Sequence, residues 1–307
     1  MRVVFFGTPE FAVPSLAALL GEGFDVVAAV TRPDQPQGRS RSSAVASPVK
    51  LAALAEGLPV FEPVRPGEAA FLTELRALAP DVGVVVAYGH ILKPDLLALP
   101  RHGMINVHPS LLPELRGAAP VEWAIVNGLA KTGVTIMQMD EGLDSGPILH
   151  QIPHTIDPEV TGGELSERLS ETGALALVEV LALLGPEGLK PRPQDHARAT
   201  YAPKLTRDTA RIRWSEPGAH VARLIRGLDP RPGAWTELDG REVKLFAARV
   251  VDGAGAPGTI LAADDALRIA AGEGAVTVVD VQPAGRARMA AADWIRGRGA
   301  RAGQRFT

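Results

Sequence analysis

The sequence predicts an α/β protein: a parallel sheet covered by helices, followed by a smaller β-rich domain. In the first part of the chain, short apolar runs alternate with helical patterns. A proline-rich polar stretch then interrupts the pattern. Beyond it, alternating apolar and polar residues surround Asp239-Gly240, a strong hairpin signal. We therefore expect a first domain at 1–186, a linker at 187–204 and a second domain at 205–307.

The elements of the first domain follow one another in a regular order. Short, mainly apolar segments predict strands at Arg2–Phe6, Asp25–Thr31, Pro59–Pro63, Asp81–Tyr88, Gly103–His108, Lys131–Met139 and Pro147–Ile156. Between them, helical patterns occur at Pro14–Gly23, Pro48–Gly57, Glu68–Ala79, Lys93–Pro100, Ala119–Gly128 and Gly163–Leu184. Strands that are apolar along their whole length and separated by helices are typical of a parallel sheet buried on both faces.

One connection in this domain, 31–48, has no periodicity. It carries Arg32, Arg39 and Arg41 against a single acid, Asp34. An irregular connection of this length is usually functional or disordered, and this one follows the carboxyl end of a predicted parallel strand, where ligands bind in open α/β sheets. We expect it to be functional.

The second domain is predicted to be a small barrel. A helix pattern at Gly218–Leu228 precedes the hairpin strands Ala234–Leu238 and Arg241–Val251. Three further strand patterns follow, at Gly258–Asp264, Ala266–Gly272 and Ala275–Gly285. Several short strands with turn signals between them favour a barrel.

Composition excludes several classes of protein. The chain has 307 residues and no cysteine, so disulfides, thiolate catalysis and cysteine metal sites are ruled out. No apolar run is long enough to span a bilayer, and the N-terminus lacks a signal-peptide pattern, so we expect a cytoplasmic protein without membrane contact. The net charge is −3, with −7 in residues 1–204 and +4 in residues 205–307. This asymmetry hints at an anionic partner of the second half, although a solvated surface explains it as well.

The candidate chemistry lies at the end of the strand Gly103–His108. Asn106 and His108 are two residues apart, so both side chains point to the same face. A later loop, "MDEGLDSGP", follows another strand and supplies Asp140 and Asp144 among glycines. A carboxylate beside a strand-end histidine can orient and charge the imidazole, and an amide with an imidazole suits a reaction that passes through an oxyanion. A hydrogen-bonded structural pair is the alternative reading of Asn106 and His108.

Other mechanisms find little support in the sequence. No serine lies in a nucleophile-elbow motif, which argues against a covalent intermediate. Two of the seven histidines, His150 and His154, are four residues apart, but in the predicted strand Pro147–Ile156 this spacing holds them too far apart to share a metal ion, so no metal is expected. "GTPEF" after the first strand lacks the second glycine of a dinucleotide fingerprint, which disfavours a nucleotide-dependent dehydrogenase.

Several motifs resemble those of the methionyl-tRNA formyltransferase family. They are "VVFFGTPEFAVPSL", "TRPDQPQGR", "SPVK", "VVVAYGHIL", "INVHPSLLPELRGAAPVEWAI", "TGVTIMQMDEGLDSG", "PGTI" and "VQPAG". "INVHPSLLP" with "LDSGP" alone would indicate only the wider superfamily of formyltetrahydrofolate-dependent transferases. The other motifs and the second domain point to the tRNA enzymes.

The resemblance implies a Rossmann-like formyltransferase domain and a C-terminal OB-like barrel that binds tRNA. It implies catalytic roles for Asn106, His108 and Asp144. Its implied folate contacts are Ser110, Leu111, Leu112, Pro113, Tyr88, Ile91, Leu92 and Asp140. Its implied tRNA contacts are Arg39 and Arg41 in the 31–48 loop and Arg207 and Arg213 in the second domain. The implied co-substrate is 10-formyltetrahydrofolate, the partner is methionyl initiator tRNA, and the protein would act as a monomer.

The implied reaction is direct attack of the methionyl α-amine on the formyl carbon through a tetrahedral oxyanion. Asn106 and His108 would donate hydrogen bonds to the oxyanion, and Asp144 would hold the tautomer of His108 and assist proton transfer. Two other functions stay open. A small-amine formyltransferase would not need the basic second domain, and a catalytically silent RNA-binding or folate-sensing module would not need the complete trio.

Overall fold

A computed structural model describes residues 1–37, 43–184 and 189–307. These residues form two compact units. Unit 1 consists of Met1–Gly117, Thr132–His154 and Ser166–Tyr201. Unit 2 consists of Ala118–Lys131, Thr155–Leu165 and Ala202–Thr307. Unit 2 therefore includes two short segments that precede the boundary proposed at residue 186.

The helices and strands follow the predicted order closely. The helices are α1 (Val13–Gly21), α2 (Pro48–Ala55), α3 (Ala69–Ala77), α4 (Pro94–Leu97), α5 (Pro120–Val126), α6 (Gly162–Ala182), α7 (Gly218–Gly227) and α8 (Ala291–Arg296). The first strands are β1 (Arg2–Gly7), β2 (Asp25–Val30), β3 (Gln35–Gln37), β4 (Ser43–Val45), β5 (Val60–Phe61), β6 (Val82–Val86), β7 (Met104–His108), β8 (Arg116–Gly117), β9 (Lys131–Gln138), β10 (Ile148–Thr155) and β11 (Tyr201–Ala202). The remaining strands are β12 (Ala234–Leu238), β13 (Arg241–Val251), β14 (Ile260–Ala263), β15 (Leu267–Ala270), β16 (Ala275–Pro283) and β17 (Met289–Ala290).

The main sheet of unit 1 has seven strands in the order β10-β9-β7-β6-β1-β2-β5. The predicted parallel sheet is confirmed for the neighbouring strands β7, β6, β1, β2 and β5. It is wrong for β9, which runs antiparallel to β7 and pairs Gln138 with Ile105 and Thr135 with His108. The loop after β9 therefore starts beside the beginning of β7, and it must return to reach His108.

Tight packing in the centre of this sheet requires a glycine. All residues of β6 and β7 are buried. A Cβ added at Gly83 of β6 would lie 1.9 Å from the sulfur of Met104 in β7, so only glycine fits beside that side chain.

The 31–48 connection contains more structure than its sequence predicts. Its two short strands, β3 and β4, pair antiparallel. Two polar contacts close the base of this hairpin. The hydroxyls of Thr31 and Ser47 lie 2.7 Å apart, and the ammonium of Lys50 lies 2.9 Å from Asp34 and 2.8 Å from Glu62.

Unit 2 contains an antiparallel sheet in the order β12-β13-β16-β15-β14, with β17 on β16. Asp239 and Gly240 both have positive φ angles and form the predicted two-residue hairpin turn. The C-terminal tail pairs with both edges of the sheet. Phe306 bridges Leu238 in the edge strand β12, and Arg305 bridges Thr259, just before the other edge strand, β14. The tail thereby closes the sheet, and the predicted barrel is confirmed.

Candidate active site

The end of β7 brings two polar side chains into the interior of unit 1. Asn106 is 9% exposed and His108 is 4% exposed. The strand is flanked by β6 on one side and by β9 on the other, which fixes the direction of both side chains. As predicted, the alternation of the strand places the amide and the imidazole on one face.

The two ring nitrogens of His108 have different partners. Nε2 lies 3.0 Å from the carbonyl oxygen of Leu115. A carbonyl only accepts hydrogen bonds, so Nε2 carries a proton and donates it. Nδ1 faces the Oδ2 atom of Asp144 at 3.8 Å. In the neutral ring Nδ1 is therefore the basic nitrogen, and a proton that it takes up lies next to a carboxylate.

This geometry differs from the expected division of roles. The Leu115 carbonyl, rather than Asp144, selects the tautomer of His108. The Asp144 carboxylate lies beside the nitrogen that is free to exchange a proton.

Asp144 lies on the loop that returns from the end of β9. Its backbone is left-handed, with a φ of 48°. Its Oδ2 atom accepts a 2.7 Å hydrogen bond from the backbone N–H of Gly117. Asp140 organises the start of the same loop, because its Oδ1 atom accepts from the Gly142 N–H and the Ser145 hydroxyl. The predicted folate contact Asp140 thus already has two partners within the loop.

Gln194 and Arg116 complete the surroundings of Asp144, and sequence reasoning missed both roles. The Gln194 amide donates to the carbonyl of Asp144 at 2.9 Å and to that of Gly146 at 2.7 Å. Its oxygen accepts two hydrogen bonds from the guanidinium of Arg116. Gln194 belongs to the segment predicted as a linker, and an antiparallel bridge between Arg192 and Ile148 ties that segment to β10.

The segment after His108 forms a turn held by buried polar contacts. The Ser110 hydroxyl donates to the carbonyl of Glu114, and the Thr135 hydroxyl donates to the carbonyl of Ser110. Leu112 is buried, whereas Leu111 and Pro113 are half-buried. The hydroxyl of Ser110 is thus committed to the turn. The roles of Ser110, Leu111, Leu112 and Pro113 in folate binding stay a prediction.

The segment after β6 contains the remaining predicted folate residues. Tyr88 and Leu92 are buried in the core, and burial raises the pKa of the Tyr88 phenol to about 12. Ile91, in contrast, is 91% exposed, and Leu143 on the Asp144 loop is 61% exposed. Single exposed apolar side chains are common on protein surfaces, so the roles of Tyr88, Ile91 and Leu92 in folate binding stay a prediction.

The predicted tRNA residues lie in two places. Arg39 and Arg41 lie outside the described residues. In unit 2, Arg207 pairs with Glu242 at 2.6 Å and stacks on the ring of Trp235. Arg213 is exposed and lies 3.8 Å from Asp208.

Two absences concern the described residues alone. Within 1–37, 43–184 and 189–307, no three His, Asp or Glu side chains are grouped so as to hold a metal ion. None of the helices in the same ranges is both long and apolar enough to cross a bilayer.

Comparisons with known proteins agree with this fold. Residues 1–181 match the family model described as formyl transferase, and residues 204–299 match its C-terminal domain. The fold resembles HypX from Aquifex aeolicus in complex with tetrahydrofolic acid, with a TM-score of 0.67 and 20% identity over 96% of this chain and 47% of that one. It also resembles WlaRD, a sugar 3N-formyl transferase, with a TM-score of 0.69 and 16% identity over 94% of this chain and 99% of that one.

The fold and the two family matches together define a formyl transferase, an enzyme that transfers a one-carbon group. A methionyl-tRNA formyltransferase from Magnetococcus marinus is 47% identical to this chain over 99% of its length and 98% of the relative's. The chain belongs to the methionyl-tRNA formyltransferase family.

Proposed function

We propose that this protein transfers the formyl group of 10-formyltetrahydrofolate to the α-amino group of methionyl initiator tRNA. Asn106, His108 and Asp144 are proposed as the catalytic residues. The observation that carries this proposal is the position of His108. The residue is buried on the strand that also presents Asn106, and its Nδ1 lies 3.8 Å from the Asp144 carboxylate. Family membership supports the substrate, because relatives of nearly equal length carry the name of that reaction.

The proposed chemistry needs no covalent enzyme intermediate. A free α-amine has a pKa of about 7.7–8.0, and an ester lowers it, so much of the substrate is already nucleophilic at neutral pH. The amine nitrogen attacks the formyl carbon, and the carbonyl electrons move onto oxygen. The Asn106 amide donates a hydrogen bond to this oxyanion. The tetrahedral intermediate then breaks its bond to N10 of the folate.

His108 is proposed to move the proton that this exchange requires. Its Nδ1 accepts the proton that the attacking nitrogen loses and delivers it to N10 as that nitrogen leaves. While Nδ1 carries the proton, the Asp144 carboxylate stabilises the imidazolium. The Nδ1–H of His108 can then also donate a hydrogen bond to the oxyanion. Leu115 keeps the other ring nitrogen occupied, so the ring is held in one orientation throughout.

Ligand contacts are proposed around these residues. The segment 87–92, with Tyr88, Ile91 and Leu92, and the loop from Met139 to Asp144 would hold the pterin, largely through backbone groups, and the turn Ser110–Pro113 would line the folate site. Arg39, Arg41, Arg207 and Arg213 would contact tRNA phosphates. We also propose that the protein acts as a monomer in the cytoplasm, as the family resemblance implies.

The test is a formylation assay with three acceptors. The purified protein is incubated with 10-formyltetrahydrofolate and with Met-charged initiator tRNA, Met-charged elongator tRNA or glycinamide ribonucleotide. Formyl-methionine is measured after ester hydrolysis. Selective formylation of the initiator is the expected result. Formylation of only the small amine would overturn the proposed substrate, and formylation of none of the three would overturn the proposed activity.

A further inference from the structure

The side chain of Gln194 links the Asp144 loop to Arg116, and these contacts use all of its hydrogen-bond donors and acceptors. Its nitrogen donates to the carbonyl oxygens of Asp144 and Gly146. Its oxygen accepts from Nε and Nη2 of Arg116, at 3.2 and 2.6 Å. An amide has two N–H donors and one oxygen with two lone pairs, so all four positions are occupied. Gln194 and Arg116 are 6% and 4% exposed, which makes each of these contacts costly to lose.

We propose that Gln194 is a positioning residue that sets the Asp144 carboxylate beside His108. This inference rests on the proposed function, because it explains how Asp144 reaches the place where that reaction needs it. Gln194 does not contact the reacting atoms in this proposal. It acts through the backbone of the Asp144 loop.

The path of the loop explains why such a residue is needed. β9 is antiparallel to β7, so the loop starts beside Ile105, three residues before His108. Asp144 must therefore be held at the far end of a returning segment, and its left-handed backbone, with a φ of 48°, is disfavoured for a non-glycine residue. Contacts from outside the loop have to offset that cost, and Gln194 supplies two of them, to the carbonyls of Asp144 and Gly146.

The contacts form a closed ring around Asp144. The Arg116 side chain holds Gln194, and Gln194 holds the Asp144 carbonyl. The carboxylate of the same residue accepts from the N–H of Gly117, the residue next to Arg116. Both the backbone and the side chain of Asp144 are thus fixed to positions 116 and 117.

Gly146 anchors the other end of the held segment. A Cβ at this position would lie 1.9 Å from the carbonyl oxygen of Gln138, the last residue of β9. The loop therefore packs directly against the strand at Gly146, and Gln194 binds the carbonyl of this same residue. Asp144 lies two residues from this anchor, which leaves its carboxylate little freedom to move.

The substitution Gln194→Glu tests the positioning role, because it keeps the contacts with Arg116 and removes those with the Asp144 loop. A glutamate still accepts both hydrogen bonds from Arg116, as a charged pair, so the fold has a partner for that buried cation. A carboxylate cannot donate to the carbonyls of Asp144 and Gly146, and its charge repels them. We expect the melting temperature to fall but to stay above the assay temperature, so that the variant is folded when its activity is measured. At saturating substrates, we expect kcat to fall about tenfold or more, with KM for tRNA unchanged.

A double-mutant cycle with Asp144→Asn tests whether the effect passes through Asp144. If Gln194 acts by placing that carboxylate, Gln194→Glu lowers kcat far less in the Asp144→Asn variant than in the wild type. Gln282→Glu, which changes a half-buried glutamine of unit 2 that donates to Arg286, is the matched control and keeps wild-type kcat. If Gln194→Glu unfolds at the assay temperature, Gln194→Asn replaces it in the same cycle.

Each outcome bears on one proposal. A wild-type protein that formylates no acceptor contradicts the proposed function, and the positioning role that rests on it is overturned with it. If the wild type is active, the positioning role is overturned by normal kcat in Gln194→Glu, or by losses that multiply fully in the double mutant.

Discussion

The imidazole of His108 is held so that only one of its nitrogens can exchange a proton. Nε2 donates to a backbone carbonyl whose position is set by the turn after β7. Nδ1 faces a carboxylate at 3.8 Å, which is longer than a direct hydrogen bond and leaves room for adjustment when substrate binds. The ring therefore has a fixed orientation and one reactive nitrogen, which suits proton transfer between two substrate nitrogens.

Replacing Asn106 with alanine should remove one donor to the oxyanion. Loss of such a donor typically costs about 2.7–4 kcal/mol of transition-state stabilisation, which corresponds to a decrease in kcat of roughly a hundredfold or more. The measurement is single-turnover formylation of Met-charged initiator tRNA, with the far-UV circular dichroism spectrum to verify folding. Asn106→Ala with near-normal turnover and an intact fold would exclude the amide from the proposed trio.

Asn106 and His108 could be predicted from the sequence because their relation is local. Two polar residues at i and i+2 in a strand share a face wherever the strand lies. Gln194 could not be predicted in this way, because its partners Arg116 and Asp144 are 78 and 50 residues away along the chain. No periodicity or motif links positions so far apart. The contact arises from how the segment after residue 189 lies along unit 1.

β9 shows which property of an element the sequence leaves open. Its apolar pattern predicts a buried strand, and the strand exists. Its direction depends on how the chain crosses from β7 through α5. The apolar pattern of a buried strand is the same whether the strand is parallel or antiparallel to its neighbour. The consequence for the site is large, because the antiparallel direction makes the Asp144 loop a returning segment.

The β3–β4 hairpin provides a prediction about its base. The Lys50 ammonium donates hydrogen bonds to Glu62 and Asp34, and these bonds raise its pKa above the usual 10.5. The contribution of the Lys50 ammonium to stability is therefore complete at pH values below 10.5, and it is lost as the pH rises through the raised pKa. Lys50→Met should free the base of the connection that carries Arg39 and Arg41. We expect KM for tRNA to rise several-fold, with kcat and KM for folate unchanged.

The control for this variant is Lys131→Met, which removes an exposed lysine at the start of β9. It should leave all three kinetic constants unchanged. Equal KM values for tRNA in the Lys50 variant and the wild type would show that the base of the hairpin does not influence tRNA binding.

The tail that closes the barrel of unit 2 should carry much of that unit's stability. Phe306 is 1% exposed and stacks on Trp214 with 5.8 Å between ring centroids. Its carbonyl lies so near Gly258 that a Cβ there would be 2.3 Å away, so the tail and this glycine fit closely. Phe306→Ala should lower the free energy of unfolding by about 3–5 kcal/mol, measured by urea denaturation.

Val279→Ala is the matched control, since this β16 side chain is 45% exposed. It should cost about 1 kcal/mol or less. A Phe306 variant as stable as this control would mean that the barrel does not depend on its closing tail.

The architecture of the whole chain was predictable because its two parts follow different periodicities. Mainly apolar strands with intervening helices predict the sheet of unit 1, and alternation around Asp239-Gly240 predicts the barrel of unit 2. The membership of α5 in unit 2 was not predictable, because the helix lies in sequence between β7 and β9 of unit 1. Local patterns specify elements, whereas the unit that each element joins depends on packing between distant segments.

The charge asymmetry of the chain leads to a prediction about tRNA binding. Residues 205–307 carry a charge of +4, and Arg213 belongs to this surplus. Its side chain is 69% exposed, and its partner Asp208, 83% exposed, lies at the outer limit of an ion pair at 3.8 Å. Such a pair contributes little to stability, so both side chains can be changed without harm to the fold.

The two changes should act in opposite directions if Arg213 contacts a tRNA phosphate. Arg213→Gln should weaken binding and reduce the slope of log K against log salt by about 0.7–0.9, the value for one phosphate contact. Asp208→Asn should strengthen binding, because it removes the competing partner of Arg213 and a carboxylate that repels phosphate. Binding constants for Met-charged initiator tRNA at four or more salt concentrations decide the matter. An unchanged slope in Arg213→Gln, together with unchanged affinity in Asp208→Asn, would place the tRNA contacts of unit 2 elsewhere, even if formylation of the initiator is normal.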